Sequence, residues 1–309
     1  MFSLIIPYRN RQDFLPRTLR SLQSSSMLPR RIYLVNNNST DGSEQLCQRF
    51  ASDHPNWPIV LLSEPTPGAA AARNAALRLV ETEWVYFFDS DDELSSCFFE
   101  EALRKLRQKP ATDVVACATR MHFPDGSEKV RNVMYNASAA DQILASQLST
   151  QGMFFRTEFL RRIGGWNEQV LVWNDWELGL RVLLNRPRIT WLTNRAYHHL
   201  HQHPDSLTSN GMAQRLPLVM PALEAARTLL NDHPKLLPAL AARCAILRGR
   251  LKLEKSDAEA DQLAAWMRQS FQDRMTVPLS LLFNILYHYA RLGGRGAWRI
   301  ARFCLKTSC

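Results

Sequence analysis

The fold is indicated by one stretch of sequence, Trp84-Val85-Tyr86-Phe87-Phe88-Asp89-Ser90-Asp91-Asp92. Its first five residues are aromatic or β-branched, which is typical of a strand buried on both faces of a sheet. Its last four residues hold three carboxylates, which repel one another unless they face water or share a cation. Open α/β sheets bind ligands beyond the carboxyl ends of their strands, so these acids indicate a Mg²⁺ or Mn²⁺ site beside a phosphate ligand. The simpler alternative is a solvated acidic turn that caps a helix starting near Leu94.

Short strands and helices alternate around this stretch. Strands are predicted at Ser3–Ile6, Arg31–Val35, Ile59–Leu62 and Trp84–Phe88, and helices at Asp13–Ser24, Glu44–Ala51, Ala69–Val80 and Phe98–Gln108. This alternation predicts an α/β fold with a mainly parallel, doubly wound sheet. Because crossovers are right-handed, four polar loops should meet at one edge of that sheet. They are Pro7–Asn10, Asn36–Asp41, Gly68–Asn74 and Asp89–Asp92.

The second half of the chain has a less regular pattern. Strands are predicted at Val114–Thr119, Glu128–Val133, Gln151–Phe155 and Ile189–Leu192, and helices at Thr157–Ile163 and Asn174–Asn185. Gly164-Gly165 should end the first of these helices in a left-handed turn. From about Leu216 onward the pattern is helical, with prolines between segments.

The composition of the chain indicates which binding partners and which cellular compartment to expect. The 309 residues carry a net charge of +9, which favours nucleic acid, anionic lipid or phosphorylated substrates. No nucleic-acid recognition motif is present, so we expect no nucleic-acid partner. The six cysteines are scattered without a C-x-x-C pair, which suits a reducing compartment. The first apolar run is too short for a signal peptide and no run is long enough to span a membrane, so we expect a cytoplasmic protein.

The polar segments also follow a recognisable order. They are Pro7-Tyr8-Arg9-Asn10, Val35-Asn36-Asn37-Asn38-Ser39-Thr40-Asp41, Gly68–Asn74, Asp89-Ser90-Asp91, Gly164-Gly165-Trp166-Asn167-Glu168, Asn174–Arg181 and His203–Thr208. In this order they resemble the motifs of inverting family-2 glycosyltransferases of the GT-A fold, with Asp89-Ser90-Asp91 as the D-x-D element. The resemblance covers about residues 1–210.

The resemblance implies a binding site for a nucleoside-diphosphate sugar, with a UDP-sugar as the favoured donor. Asn37 would read the base through its carboxamide, although a turn asparagine is an equal alternative. Arg73 would sit near the diphosphate, where a guanidinium suits phosphate oxygens. Asp89 would hold the ribose or the outer shell of the metal. The donor-binding residues implied are Pro7, Tyr8, Arg9, Asn37, Arg73, Asp89 and Asp91.

A Mn²⁺ or Mg²⁺ cofactor is implied by the same resemblance. Asp91 would bind the metal directly, and His203 would complete its shell, with His201 as the competing histidine. Asp92 is the less certain acid and is expected to cap the following helix. The histidine run alone could suggest zinc, but it lacks a partner cysteine or an H-E-x-x-H helix.

Asp175 is the general base that the resemblance implies. It would take the proton from an acceptor hydroxyl as that oxygen attacks the anomeric carbon, which inverts the configuration. Glu177 lies on another face of the same helix, and we expect it to pair with Arg181. Three tryptophans near the base could be sugar platforms or core residues: Trp166, Trp173 and Trp176.

Two departures from the family pattern affect these roles. Asparagines Asn36 and Asn37 stand where the family usually has aspartates, which weakens any statement about the base that is read. Asn174 stands where a glutamate commonly precedes the base, but Asp175 itself is present, so activity should survive. The asparagines are the one support for the alternative, a non-catalytic module on the same fold that binds sugar nucleotides or glycans.

The implied protein is a metal-dependent transferase of bacterial envelope or capsule polysaccharide synthesis. It would have a GT-A catalytic domain at 1–212, with a nucleotide half (about 1–110) and an acceptor half (about 111–212). A helical, basic C-terminal extension at 213–309 would follow. The acceptor is a glycan or a lipid-linked hydroxyl compound. Cations recur at steps of three and four at Arg291, Arg295, Arg299, Arg302 and Lys306, so this extension is expected to contact the inner face of the cytoplasmic membrane, with packing on the catalytic domain as the alternative.

Overall fold

The computed structural model describes residues 1–131, 137–193, 196–203, 211–271 and 276–306. The strands are β1 (Phe2–Tyr8), β2 (Arg31–Asn36), β3 (Ile59–Ser63), β4 (Trp84–Phe87), β5 (Glu93–Leu94), β6 (Val114–Cys117), β7 (Thr119–His122), β8 (Glu128–Val130), β9 (Met153–Arg156), β10 (Ile189–Leu192) and β11 (His198–His201). The helices are α1 (Leu15–Gln23), α2 (Ser43–Asp53), α3 (Ala69–Leu79), α4 (Phe98–Gln108), α5 (Ala139–Ala145), α6 (Thr157–Arg162), α7 (Asn174–Leu184), α8 (Met212–Leu229), α9 (Leu237–Leu253), α10 (Asp257–Phe271), α11 (Val277–Arg291) and α12 (Ala297–Lys306).

The main sheet confirms the expected mainly parallel, doubly wound α/β architecture. Its seven strands run in the order β10-β6-β9-β4-β1-β2-β3. Strands β1 to β4 pair in parallel, because each crossover is a helix that packs on a face of the sheet. Strand β9 is antiparallel to both β4 and β6. The carboxyl ends of β1, β2 and β4 therefore share one edge.

A second, smaller sheet was not expected from the sequence. Its order is β5-β11-β7-β8, and it contains the histidine strand β11. The predicted single strand Val114–Thr119 is wrong, because the chain leaves the main sheet after Cys117 and enters the small sheet at Thr119. The helix start near Leu94, which belongs to the alternative of a solvated acidic turn, is also wrong. Leu94 lies in β5, and the helix begins at Phe98.

The other predicted elements differ mainly at their ends. The strand predicted at Gln151–Phe155 begins at Met153, after a 3-10 turn. Of the predicted return strand Glu128–Val133, β8 covers Glu128–Val130, and residues 132–136 lie outside the described residues. Gly164 and Gly165 have φ values of 90° and 64°, which confirms the left-handed turn after α6.

Three apolar cores hold these layers together. Two lie on opposite faces of the main sheet, one under α1, α2 and α4 and the other under α3, α6 and α7. The third joins Ile143, Leu144 and Trp176 to buried residues of the C-terminal helices. The helical extension therefore packs against α5 and α7 through a continuous core, as the packing alternative had it.

The C-terminal helices contain a break that divides the basic segment. Helix α11 ends at Arg291, and Gly293 and Gly296 adopt positive φ values of 82° and 80° before α12 begins. The expected basic stripe is therefore shared between two helices. In the part of the chain that the structure describes, no helix has the length and apolarity needed to cross a membrane.

Candidate functional site

The expected polar loops do converge at the carboxyl edge of the main sheet, where they bond to one another. The Asn10 side chain accepts a hydrogen bond from the backbone N–H of Thr40 at 2.8 Å. The Ser43 hydroxyl accepts one from the N–H of Arg11 at 2.7 Å. Asn10 has a φ of 51°, a left-handed conformation that asparagine tolerates. The loops after β1 and β2 thus form one rigid unit.

Asn37 connects this unit to the start of α3. Its amide nitrogen donates to the carbonyl oxygens of Glu64 and Thr66, at 2.8 and 2.7 Å. Its side-chain oxygen accepts the N–H of Gly68 at 2.8 Å. Both amide hydrogens are therefore used within the protein, and one lone pair of the oxygen remains for a ligand.

The three predicted donor-binding residues at the end of β1 differ in their exposure and in the direction of their side chains. Pro7 lies inside the buried strand, and Arg9 is exposed at its end. Tyr8 is buried, and its hydroxyl interacts with the Cys47 thiol in the core, where burial raises the tyrosine pKa. The expectation that Tyr8 binds the donor is corrected to this extent: its side chain faces the core, and its carbonyl accepts the N–H of Asn37.

Arg73, which is buried, and Asp89, which is partly exposed, form an ion pair at 2.7 Å between Nη2 and Oδ1. The other carboxylate oxygen of Asp89 accepts the side-chain amide of Gln151 at 2.5 Å. The Arg73 guanidinium also stacks over the Trp166 ring, 4.2 Å from its centroid. Its Nε and Nη1 are buried without a hydrogen-bond partner. Arg73 therefore keeps unused donors beside Asp89.

Asp91 and His203, the two residues predicted to bind the metal, lie in contact with each other. Its Oδ2 lies 3.1 Å from the histidine Nε2, and the Arg11 Nε lies 3.5 Å from the same oxygen. The His203 ring stacks on Phe14 at 4.2 Å between centroids. His201 instead pairs with Glu93 at 3.2 Å. Of the two candidate histidines, His203 is the one that contacts Asp91. The remainder of the late motif, 204–208, lies outside the described residues.

Asp92 does not cap the following helix, contrary to expectation. Its buried carboxyl lies 2.9 Å from Nε2 of His198, whose Nδ1 lies 2.7 Å from the Tyr86 hydroxyl. Burial raises the pKa of Asp92 well above its usual value and lowers that of His198 to about 3. A neutral pair satisfies every group, because Asp92 then donates to His198, His198 to Tyr86, and Tyr86 to the Gln151 carbonyl.

Asp175 lies in the first turn of α7, where a carboxylate is favoured by the helix dipole. Its Oδ1 accepts the backbone N–H of Trp176 at 2.8 Å. Burial raises the pKa of Asp175, while the charges of Arg131 and Arg73 oppose that rise and the charge of Asp89 adds to it. These influences place Asp175 within electrostatic reach of the Arg73–Asp89 pair.

Glu177, two residues later, forms an ion pair within α7 and does not face the site. It is buried and forms a two-pronged ion pair with Arg181, at 2.7 and 2.8 Å. The expected Glu177–Arg181 pair is thus confirmed. Trp166 and Trp176 are about as buried as core residues, at 2% and 1% exposure, so packing is their role. Trp173 is partly exposed.

Four residues of the site were missed in the sequence. Gln151 bonds to Asp89, and Arg11 approaches Asp91. Arg131 influences Asp175, and Arg243 of α9 stacks over Trp173 at 4.4 Å. Each is a polar residue outside the ordered motifs, and a sequence carries no signal for such long-range contacts.

We name the two halves of the site by their central acids. The Asp91 cluster comprises Arg73, Asp89, Asp91 and His203. The Asp175 cluster comprises Arg131, Trp173, Asp175, Trp176 and Arg243.

The Asp91 cluster suits a divalent cation in its chemistry. Asp91 and His203 offer a carboxylate oxygen and an imidazole nitrogen, donors that Mn²⁺ accepts. His203 Nδ1 is buried without a partner. Among the described residues no group of three or more His, Cys, Asp or Glu side chains is arranged to hold a metal ion. Two protein ligands leave room for diphosphate oxygens and water, as is usual for such ions.

Comparison with protein families gives one match that covers just over half of the chain. The family described as glycosyl transferase family 2 matches residues 3–164 of the 309. The matched part includes the Asp91 cluster except for His203, and it ends before Asp175.

A curated relative also matches part of the chain. The chain is 27% identical over 185 residues to a teichoic acid poly(glycerol phosphate) polymerase of Staphylococcus epidermidis, covering 59% of this chain. The chain spans only 26% of that relative's length.

Solved structures extend the likeness along the whole chain. S. aureus TarS 1–349 in complex with UDP-GlcNAc matches with a TM-score of 0.69 at 19% identity, covering 99% of this chain and 92% of that one. A mannosyltransferase from Pyrobaculum calidifontis, in complex with GDP-Man and Mn²⁺, matches with a TM-score of 0.58 at 18% identity, covering 98% and 86%. At these identities the likeness shows the fold, including the helical extension.

Proposed function

This chain belongs to glycosyl transferase family 2, and we propose that it moves a sugar from a nucleoside-diphosphate sugar to a hydroxyl of a glycan or lipid-linked acceptor. The observation that carries the proposal is the convergence of the two clusters. The Arg73–Asp89 pair and the Asp91–His203 pair lie at the sheet edge, and Asp175 lies within electrostatic reach of Arg73 and Asp89. The setting we propose is bacterial envelope or capsule polysaccharide synthesis, which the S. epidermidis relative supports by its name.

The Asp91 cluster is proposed to bind the donor. Arg73 has two buried nitrogen atoms without partners, Nε and Nη1, and their N–H groups suit the oxygens of a diphosphate. Asn37 has one free lone pair, which suits the N3–H of uracil. A UDP-sugar is the proposed donor, supported by the UDP-GlcNAc bound to TarS. Asp89, fixed by Arg73 and Gln151, would face the ribose.

Asp91 and His203 are proposed to hold Mn²⁺ or Mg²⁺. The Mn²⁺ in the Pyrobaculum enzyme, which shares the fold, supports this choice. When bound, a divalent cation neutralises charge on a diphosphate leaving group. Arg11, 3.5 Å from Asp91, adds a fixed positive charge on the same side. The remaining steps depend on residues of the chain.

Asp175 is proposed as the general base. It takes the proton from the acceptor hydroxyl while that oxygen attacks the anomeric carbon from the face opposite the diphosphate. One base on that face gives direct displacement, so the product has inverted configuration. Arg131 and Arg73 favour the ionised carboxylate that this step needs, against the burial that raises its pKa.

A ligand screen on the full chain tests this function. We expect UDP and UDP-sugars to raise the melting temperature with Mn²⁺ present, and GDP-mannose to raise it less. We also expect UDP release from the preferred donor. Binding without any UDP release would favour the non-catalytic module, and no shift with any nucleotide would contradict both readings.

A peripheral membrane contact is the second part of the proposal. Helix α11 exposes apolar side chains four residues apart: Val277 is 84% exposed, Leu281 62%, Ile285 49% and Tyr289 39%. Leu292, which follows the end of the helix, is 85% exposed. The segment 276–306 has no Asp or Glu but five Arg or Lys residues. One of these, Arg302, is held by Asp141. An apolar stripe beside a segment rich in cations and without acids suits an anionic lipid surface.

Vesicle sedimentation tests this contact. We expect the chain to pellet with vesicles of phosphatidylcholine and phosphatidylglycerol, and less in high salt. Leu281→Asp with Ile285→Asp should abolish pelleting. Leu79→Asp is the matched control, since Leu79 is 50% exposed and lies on α3. Equal pelleting of all three proteins would contradict the contact.

A further inference from the structure

Arg243 connects the C-terminal helices to the proposed base. It lies in α9, outside the family-matched residues, yet its guanidinium stacks over Trp173 at 4.4 Å and lies 5.6 Å from the Trp176 ring. It also donates to the Leu144 carbonyl at 3.0 Å and faces the Ser146 hydroxyl at 3.4 Å. One side chain thus holds the turn after α5 and the start of α7.

The position of Arg243 is costly for a cation. Burial lowers its pKa to about 10, and its Nε is buried without a partner. Within the described ranges its hydrogen-bond partners are the Leu144 carbonyl and the Ser146 hydroxyl, with no carboxylate at ion-pair distance. Asp175 acts on it only through its charge. A cation placed at such a cost, with aromatic faces and a carbonyl as its partners, indicates a role beyond packing.

The residues that Arg243 holds are those that orient Asp175. Trp173 is the N-cap of α7 and has the left-handed φ of 63° that starts the helix. Trp176 gives its backbone N–H to the Asp175 carboxylate at 2.8 Å. The two tryptophan rings also contact each other, with centroids 5.5 Å apart. Movement of this pair would therefore move the carboxylate.

Ser146 joins Arg243 to a second arginine. Arg131 donates from Nη2 to the Ser146 carbonyl, while Arg243 faces the Ser146 hydroxyl. Of the charges that lower the pKa of Asp175, that of Arg131 acts most strongly. By holding Ser146, Arg243 fixes the residue on which Arg131 is anchored.

We propose that Arg243 is a positioning residue for Asp175, so that the C-terminal helices complete the acceptor side of the site. It acts by holding the Trp173–Trp176 pair and the Ser146 turn, and through them the direction of the base and the nearby charge of Arg131. This inference rests on the proposed function, in which Asp175 is the base.

The matched control lies on the same helix. Arg248 also stacks on an aromatic ring, that of Tyr287 at 4.6 Å, and it too has a buried Nε without a partner. Comparing Arg243→Met with Arg248→Met in the full chain separates the position of the arginine from the general loss of a stacked cation.

Kinetics with the UDP-sugar that the chain turns over give the first measurement. We expect Arg243→Met to lower kcat by about tenfold to a hundredfold, as misplacement of a catalytic group does, with the donor KM unchanged. Arg243→Lys should restore part of the loss, and Arg248→Met should leave kcat as in the parent. A folded Arg243→Met with the parental kcat would overturn the proposal.

The pH profile gives a second measurement. Asp175 is faced by Arg131 beyond β8, Arg73 of α3, Asp89 beyond β4 and Arg243 of α9. Arg243→Met removes one of the three cations near Asp175 and loosens a second, Arg131. Because both changes disfavour the ionised carboxylate, the acid limb of the kcat profile should move to higher pH. An unmoved acid limb, together with an unchanged kcat, would contradict the role.

A third measurement does not need turnover. In a double-mutant cycle of Asp175→Asn and Arg243→Met, we expect the shifts in melting temperature to be non-additive, whereas Asp175→Asn and Arg248→Met should add. If no nucleotide sugar is turned over, the proposed function fails, and the cycle still decides whether Arg243 and Asp175 are coupled. Additive shifts would overturn the coupling.

Discussion

The Asp91 cluster and the Asp175 cluster are built in different ways. In the Asp91 cluster, Asp89 and Asp91 follow β4 of the main sheet, and His203 follows β11 of the small sheet. Arg73 lies in α3, and the side chains pair directly, Arg73 with Asp89 and Asp91 with His203. The members of the Asp175 cluster come from α7, from the chain after β8 and from α9, and they meet mostly through rings and backbone groups.

This difference in construction predicts which property of the enzyme each half of the site controls. Direct side-chain pairs at a sheet edge fix a pattern of polar groups that suits a diphosphate, the part that all nucleoside-diphosphate sugars share. The Asp175 cluster depends on the packing of α5 and α7 against the C-terminal helices. We therefore expect substitutions in the Asp91 cluster to affect donor binding and those in the Asp175 cluster to affect turnover.

The largest expected effect separates the two central acids. Asp175→Asn should lower turnover by about a hundredfold to ten-thousandfold, the usual contribution of a general base, while UDP binding with Mn²⁺ stays parental. Asp91→Ala should instead remove the Mn²⁺ dependence of UDP binding. Titration calorimetry with UDP, beside UDP release from the donor, measures both. Parental turnover in Asp175→Asn would contradict its assignment as base.

A second effect, on stability, contrasts Asp175 with its neighbour. Glu177→Ala leaves Arg181 as an uncompensated, mostly buried charge, which costs about 3–5 kcal/mol of unfolding free energy. Denaturant unfolding of Glu177→Ala and Asp175→Asn measures the contrast, and we expect the large loss only in the first. Equal losses would show that the two acids have similar structural roles.

A third effect concerns the histidine that contacts Asp91. His203→Gln should weaken Mn²⁺-dependent UDP binding by about tenfold, whereas His201→Gln, which loses the contact with Glu93 and the stacking on His122, should not. Calorimetric titration of Mn²⁺ in the presence of UDP measures this effect. The reverse order would assign the contact to His201.

The smallest effect is a pH dependence of stability from Asp175. Burial raises its folded pKa above the unfolded value of about 3.9, so the folded state binds the proton more tightly. This contribution is present below the unfolded pKa and is lost as the pH rises through the folded pKa. The melting temperature of Asp175→Asn relative to the parent should therefore increase with pH. A difference that is constant with pH would show that the pKa is not raised.

Sequence reasoning found most of the fold and the charged half of the site. Helix α4 was predicted at its observed bounds, and the loops after β1, β2 and β4 do meet. It missed the small sheet, because Glu93–Leu94 is too short to give a strand pattern and the four-residue strand His198–His201 looks like a polar run. It also misread Asp92, whose buried partner His198 lies over a hundred residues away.

By itself the sequence determined the alternation of strands and helices and the acids that end β4, because burial patterns and turn residues are local properties. It also placed Asp175 at the start of a helix. Packing of the folded chain was needed to show which histidine contacts Asp91, that Asp92 is buried against His198, and that Arg243 of a distant helix stacks on the tryptophan beside the proposed base. These contacts join segments whose separation in the chain carries no pattern, and packing alone selects them.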